Sequence, residues 1–169
     1  ALLDMLTMRE HLGGLEGAKV AICGDVMLSR VARSNIYGLT TMGAKVVLCA
    51  PPTLIPPRMD ELGCAIAPTI EDACENADVV MGLRIQRERQ QKGLFPSVAE
   101  YCDHWEITPQ RLALAKKNAL VMHPGPMNRG VEIASSVADC GQSVITQQVE
   151  SGVAVRMALL YMLTRRENV

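Results

Sequence analysis

Five short apolar runs constrain what this chain can fold into. They are Ala18 to Cys23, Ala44 to Ala50, Cys64 to Ala67, Asp78 to Leu83 and Ala119 to Met122. None alternates polar with apolar as a half-solvated strand does, so each reads as a strand buried on both faces, the third being the weakest. Between them lie helix-like segments: Ser29 to Met42, Pro57 to Leu62, Thr69 to about Asn76, Ser97 to Asp103, and Thr108 to Lys117. Thr69 is placed as an N-cap with Asp72 three residues on, and Thr108 as an N-cap before Pro109. Strand and helix alternate, which predicts a doubly wound, Rossmann-like α/β fold: a parallel sheet of four to five strands with helices on both faces. Two further helices, Ala1 to Leu12 and Gln142 to Thr164, stand outside the alternation. The second carries Ile145, Val149, Val153, Met157, Leu160 and Tyr161 along one side. Both are expected to pack on something beyond this sheet.

Length and composition suit one domain. The chain has 169 residues and is 49% hydrophobic but only 3% aromatic, so its core must be built from Val, Leu, Ile, Met and Ala. A net charge of −1 with interspersed signs gives no surface for nucleic acid. No apolar run approaches the ~20 residues of a membrane helix, so no membrane partner is expected. The six cysteines are scattered without a C-x-x-C pair, which points to a reducing, cytoplasmic setting. His11, His104 and His123 have no ligand spacing, so no metal is expected. The first strand leaves through Gly24-Asp25-Val26-Met27-Leu28-Ser29, which lacks the later glycines of a dinucleotide fingerprint. There is no Walker loop, and no cofactor is expected.

Three strand exits carry the chemistry. The first runs from Asp25 to Arg33, the second from Arg84 to Arg89, the third from His123 to Arg129. In a doubly wound sheet all three emerge at one edge. Arg30 and Arg84 could each grip a carboxylate with parallel hydrogen bonds, and together a dicarboxylate. Gln86 adds a neutral donor and acceptor. Arg33, Arg87 and Arg89 read as solvated or loop-bracing. In Pro124-Gly125-Pro126 both prolines fix φ and lack an N–H, so the chain leaves its strand rigidly. Gly125-Pro126 is a candidate cis bond. Carbonyls there have no ladder partner, and no general base or nucleophile stands out.

These motifs resemble those of aspartate carbamoyltransferase catalytic chains. His123-Pro124-Gly125-Pro126 through Arg129-Gly130-Val131-Glu132-Ile133 is similar to that family's H-P-x-P…R-x-V-E-I segment. Gly24-Asp25…Ser29-Arg30-Val31-Ala32-Arg33-Ser34-Asn35 resembles its first strand exit in the aspartate domain. Arg84-Ile85-Gln86-Arg87-Glu88-Arg89 resembles its R-x-Q-x-E-R loop. Ornithine-specific relatives typically have H-C-L-P at the first of these. The resemblance covers only the second half of such a chain. The S-T-R-T and H-P-T-Q motifs of the carbamoyl-phosphate half are absent, and Ala1-Leu2-Leu3-Asp4 resembles the stretch after H-P-T-Q.

The resemblance implies an aspartate-binding domain over residues 1–169, with 1–12 and 142–164 as interdomain helices. It implies transfer of the carbamoyl group of carbamoyl phosphate to L-aspartate in pyrimidine synthesis, by positioning and charge stabilisation. Arg30 would hold the α-carboxylate; Arg84, with Gln86, the β-carboxylate. The carbonyls of Pro124 and Gly125 would accept hydrogen bonds from the carbamoyl NH₂. Arg89 would brace the Arg84 loop, while Arg129 and Glu132 would tie domains together. A full-length homotrimer, with a regulatory or dihydroorotase-like partner open, is the implied assembly, and the fragment alone would be inactive. Two alternatives stand beside this: a non-catalytic module binding a dicarboxylate or a protein, and, on fold class alone, a nucleotide-binding oxidoreductase domain.

Overall fold

The computed structural model describes residues 1–89, 95 and 97–165. The polar stretch from Ile85 to Gly93, which follows the fourth apolar run, therefore lies partly outside the described residues. Five parallel strands, β1 (Lys19–Gly24), β2 (Lys45–Cys49), β3 (Ala65–Ile66), β4 (Val79–Leu83) and β5 (Leu120–Met122), form one sheet in the order β3-β2-β1-β4-β5. β1 is central: Ile22 stands opposite Leu48 on one side and Met81 on the other. Helices α1 (Leu2–Leu12), α2 (Arg30–Thr41), α3 (Ile70–Cys74), α4 (Val98–Trp105), α5 (Pro109–Leu112), α6 (Ser135–Ala138) and α7 (Ile145–Thr164) surround it.

Successive side chains on a strand point to opposite faces, and in β1, β4 and β5 both faces are buried, whereas the two residues of the edge strand β3 are exposed, against the expectation of a buried strand there. Val20, Ile22, Leu48, Val79 and Met81 join Met8, Ala32, Ile36 and Leu39 in one core. Ala21, Cys23, Val80 and Val121 join Ile70, Ala73, Leu112 and Val137 in the other. That explains runs too apolar to alternate. The doubly wound parallel sheet expected from the sequence is the fold observed.

Helix starts follow their caps. The hydroxyls of Ser29, Thr69, Ser97 and Thr108 each accept an N–H from three residues on. Ends differ where the chain makes tertiary bonds instead. The helix expected from Thr108 to Lys117 stops at Leu112. Beyond it the Leu114 carbonyl accepts Asn76 N–H, and Lys116 N–H donates to Ala77, which pulls the segment into line for β5. The helix expected from Gln142 begins at Ile145, because Gln142 C=O and Val144 N–H pair with Val121. α6 was not expected at all.

The two terminal helices pack on each other: Thr7 Oγ1 donates to Ser151 Oγ at 3.0 Å, and a Cβ on Gly152 would stand 3.3 Å from Leu3 Cδ2. The outer side of α7 stays open, with Val149 67%, Met157 66% and Leu163 82% exposed.

Arg111 closes the corner between α3, α4 and α5. Its guanidinium donates to Glu71 Oε1 (2.7 Å) and to the carbonyls of Glu106 (2.8 Å) and Asp103 (2.8 Å). Partial burial alone would raise the Glu71 pKa; the Arg111 hydrogen bond and charge outweigh it and hold the carboxyl below its ordinary value. A depressed acid contributes stability above its unfolded pKa and loses it as pH falls through the folded one. Arg111→Leu should therefore cost about 2 kcal/mol through two uncapped carbonyls, read as a lower urea midpoint. It should also remove the part of wild-type stability that disappears on acidification through the Glu71 pKa.

Candidate functional site

The sheet order places a site before any side chain is considered. From β1 the chain moves to β2 on one side; from β4 it moves to β5 on the other. Connections that part in opposite directions leave a crevice beyond the carboxyl ends of the two neighbouring strands. A cleft of about 660 Å³ opens there. Arg30, Arg84, Gln86, Pro124 and Gly125, drawn from three separate stretches of sequence, all line it.

Each is placed by local bonds. The buried Asp25 carboxylate accepts Leu28 N–H at 3.0 Å, and Ser29 caps α2, which puts Arg30 at the first helical position. Ile85 is fully buried, so its neighbours Arg84 and Gln86 turn outward together. Gln86 Nε2 donates to the Leu28 carbonyl at 3.1 Å, joining the exits of β1 and β4. Arg84 Nη1 meets Glu88 Oε1 at 2.8 Å. A hydrogen bond from its own backbone and the charge of Arg84 hold the Glu88 carboxyl below its usual range.

The third exit turns sharply. The Gly125-Pro126 bond is cis, and Gly125 has φ +62, open to glycine without strain. Gly125 N–H donates to His123 Nδ1 at 2.9 Å, so the turn curls back over a buried imidazole.

The remaining expected residues divide. Arg89 lines the cleft, and its N–H donates to the Gln86 carbonyl at 2.8 Å. Arg129 lies outside the cleft, exposed, with both ends of its guanidinium on Asp139 (2.6 and 2.8 Å). Glu132 is wholly buried within this domain, accepting from His123 Nε2 at 3.2 Å and Asn128 N–H at 2.5 Å. Within this chain, then, Arg129 is held by Asp139 and Glu132 by His123 and Asn128.

Sequence reasoning missed Arg156. It reaches the same cleft from α7. A single charge three residues after Val153 and seven after Val149, on the apolar side of a helix, was the signal that could have found it. It also missed Asn128 and Gln148. Gln148 Oε1 accepts His123 N–H at 3.0 Å while its Nε2 donates to the buried Asp4 at 2.6 Å, fastening β5 to α1. Among the described residues no cluster of His, Cys, Asp and Glu could hold a metal ion. Four guanidiniums around one crevice make a receptor for a compact anion with more than one charge.

Comparison with known proteins bears directly on that receptor. Residues 16–163 match the family model described as aspartate/ornithine carbamoyltransferase, Asp/Orn binding domain. The chain belongs to this family. The aspartate carbamoyltransferase catalytic subunit of Moorella thermoacetica is 61% identical over 99% of the chain. The chain spans about half the length of the curated relatives it matches, 55% in that case. An ornithine carbamoyltransferase from Thermus thermophilus shares the fold, with a TM-score of 0.82 over 96% of this chain and 54% of its own, at 21% identity. The aspartate transcarbamoylase of Trypanosoma cruzi, solved with aspartate and phosphate, matches with a TM-score of 0.74 and 27% identity over 94% of this chain and 51% of its own.

Glu88 pairs with Arg84, so a carboxylate gripped by Arg84 would have to displace it. The pair is exposed and therefore weak. Glu88→Gln should tighten binding of succinate, a dicarboxylate without an amino group, about threefold by calorimetry on the full-length protein. Unchanged or weaker binding would show that Glu88 does not compete.

Proposed function

We propose that this chain is the aspartate-binding half of an aspartate carbamoyltransferase. The observation that carries the reading is the convergence of Arg30, Arg84 and Gln86 on a cleft whose far wall is the Pro124-Gly125-Pro126 turn. Arg30 holds the α-carboxylate of L-aspartate. Arg84, with Gln86, holds the β-carboxylate. The α-amino nitrogen then attacks the carbamoyl carbon of carbamoyl phosphate. A tetrahedral intermediate forms, its C–O bond to phosphate breaks, and the nitrogen loses a proton. N-carbamoyl-L-aspartate and phosphate result. The carbonyls of Pro124 and Gly125 accept the carbamoyl NH₂ and so orient the carbon under attack.

The charge of the cleft favours aspartate over ornithine. An ornithine side chain would bring a second ammonium among Arg30, Arg84, Arg89 and Arg156, and like charges in one crevice repel. Carbamoyl phosphate is held mainly by the half of the protein outside this chain. The apolar groove of about 420 Å³ along α7, lined by Val149, Val153, Met157 and Leu160, is the surface that half covers. A cytoplasmic homotrimer, with or without a regulatory or dihydroorotase-like partner, is the assembly this reading implies, and the six free cysteines fit that setting.

Arg84→Ala in the full-length enzyme should raise the aspartate KM a hundredfold or more, about 3 kcal/mol for removing one partner of a buried charge pair. An unchanged KM would refute the reading. The isolated chain should show no turnover with carbamoyl phosphate and aspartate; turnover would refute its dependence on the other half.

A further inference from the structure

A peptide plane has two ends. Its N–H and its C=O point in opposite directions, so anchoring one aims the other. Gly125 N–H is anchored on His123 Nδ1 at 2.9 Å, and the Pro124 carbonyl of the same plane therefore points away from the imidazole and out of the core. Because Nδ1 accepts, the ring hydrogen sits on Nε2, where Glu132 Oε1 accepts it at 3.2 Å. Both side chains are fully buried. Glu132 then reaches the second limb of the cleft. Its Oε2 accepts Asn128 Nδ2 (3.1 Å) and Ile85 N–H (3.5 Å), while Asn128 Nδ2 also donates to the Ile85 carbonyl (3.0 Å). Ile85 is the residue between Arg84 and Gln86, and it is held at both its peptide groups.

We propose that His123, Glu132 and Asn128 are positioning residues that fix the Pro124 carbonyl and the Arg84–Gln86 limb as one rigid unit. The proposal rests on the aspartate carbamoyltransferase reading above and assigns work to residues that touch neither substrate. His123 aims the group that meets the carbamoyl NH₂, so its loss acts on the transfer step. Asn128 sets the limb that meets the β-carboxylate, so its loss acts on aspartate binding. Glu132 keeps the two at a fixed separation, which a reaction between two bound substrates requires. The ring also needs room: a Cβ on Gly82 would stand 3.0 Å from His123 Cδ2.

Two substitutions at one position separate aiming from packing. Asn places its Oδ1 where His123 has Nδ1 and can still accept Gly125 N–H. Gln reaches Glu132 but leaves Gly125 N–H without an acceptor. In the full-length enzyme, with kcat taken per site counted by succinate titration, H123Q should lose about tenfold or more in kcat. H123N should stay within about threefold of wild type, and aspartate KM should change little in both. N128A should raise aspartate KM about tenfold with kcat nearly unchanged, a ratio independent of how much protein folds. Equal losses in H123N and H123Q, or an unchanged aspartate KM in N128A, would overturn the proposal. If H123Q yields no succinate-binding sites, N128A alone decides it. Should Arg84→Ala leave the aspartate KM unchanged, the functional reading itself falls. Should Arg84→Ala raise it while the His123 pair behaves alike, only the positioning role falls.

Discussion

Glu132 is a carboxylate with no water around it, and that makes it the fixed point of the site. A buried charge is tolerated only where donors replace the solvent. Here His123 Nε2, Asn128 N–H, Asn128 Nδ2 and Ile85 N–H supply them, from the exits of β4 and β5 and from the loop after the cis turn. None of these segments can drift without uncovering the charge. The cost of desolvating Glu132 is thereby converted into definition: two strand exits, segments that elsewhere are the mobile parts of a fold, are bound to one another beneath the cleft. Even the strand responds to it. β4 carries Gly82 where any Cβ would press on the His123 ring.

Much of this was legible in the chain. The apolar runs, the capping hydroxyls at Thr69 and Thr108, and the strand exits are local features, and local physics reads them. The meeting of Arg30 with Arg84 followed from topology, since a parallel sheet sends all its exits to one edge. What stayed hidden depends on partners distant in sequence. The segment from Ala113 to Asn118 has helical composition, yet it pairs with Asn76 and Ala77 instead. Arg156 is one charge beside an apolar stripe, and only the packing of α7 next to the turn brings it to the cleft. Glu132 and Ile85, 47 residues apart, meet through a bond that no spacing rule announces.

The cleft sets function against stability. Bringing four guanidiniums to one crevice raises their mutual repulsion, and nothing in the core benefits from it. Arg84 and Arg89 are held there by the β4 exit that the buried network fixes, Arg30 by the start of α2 and Arg156 by α7, so the fold carries the repulsion and a bound dianion would relieve it. Glu88 offsets part of it through an exposed pair with Arg84, weak enough to be displaced.

The apolar groove on α7 and the arginine cleft are not independent surfaces. Leu3, Pro124 and Arg156 line both. On the proposed reading, the half of the protein that covers the groove also becomes a wall of the cleft. Its arrival removes water from beside Arg156 and from the Pro124 carbonyl, and both the ionic and the hydrogen-bonding interactions there strengthen as the surrounding dielectric falls. On the same reading Arg30 and Arg84, both carried by this domain, would grip the two carboxylates of aspartate. The carbonyl turn acquires its partner only when the second substrate is delivered against it. Binding of aspartate and docking of the halves then favour each other through the same three residues, and the chemistry is confined to the assembled state.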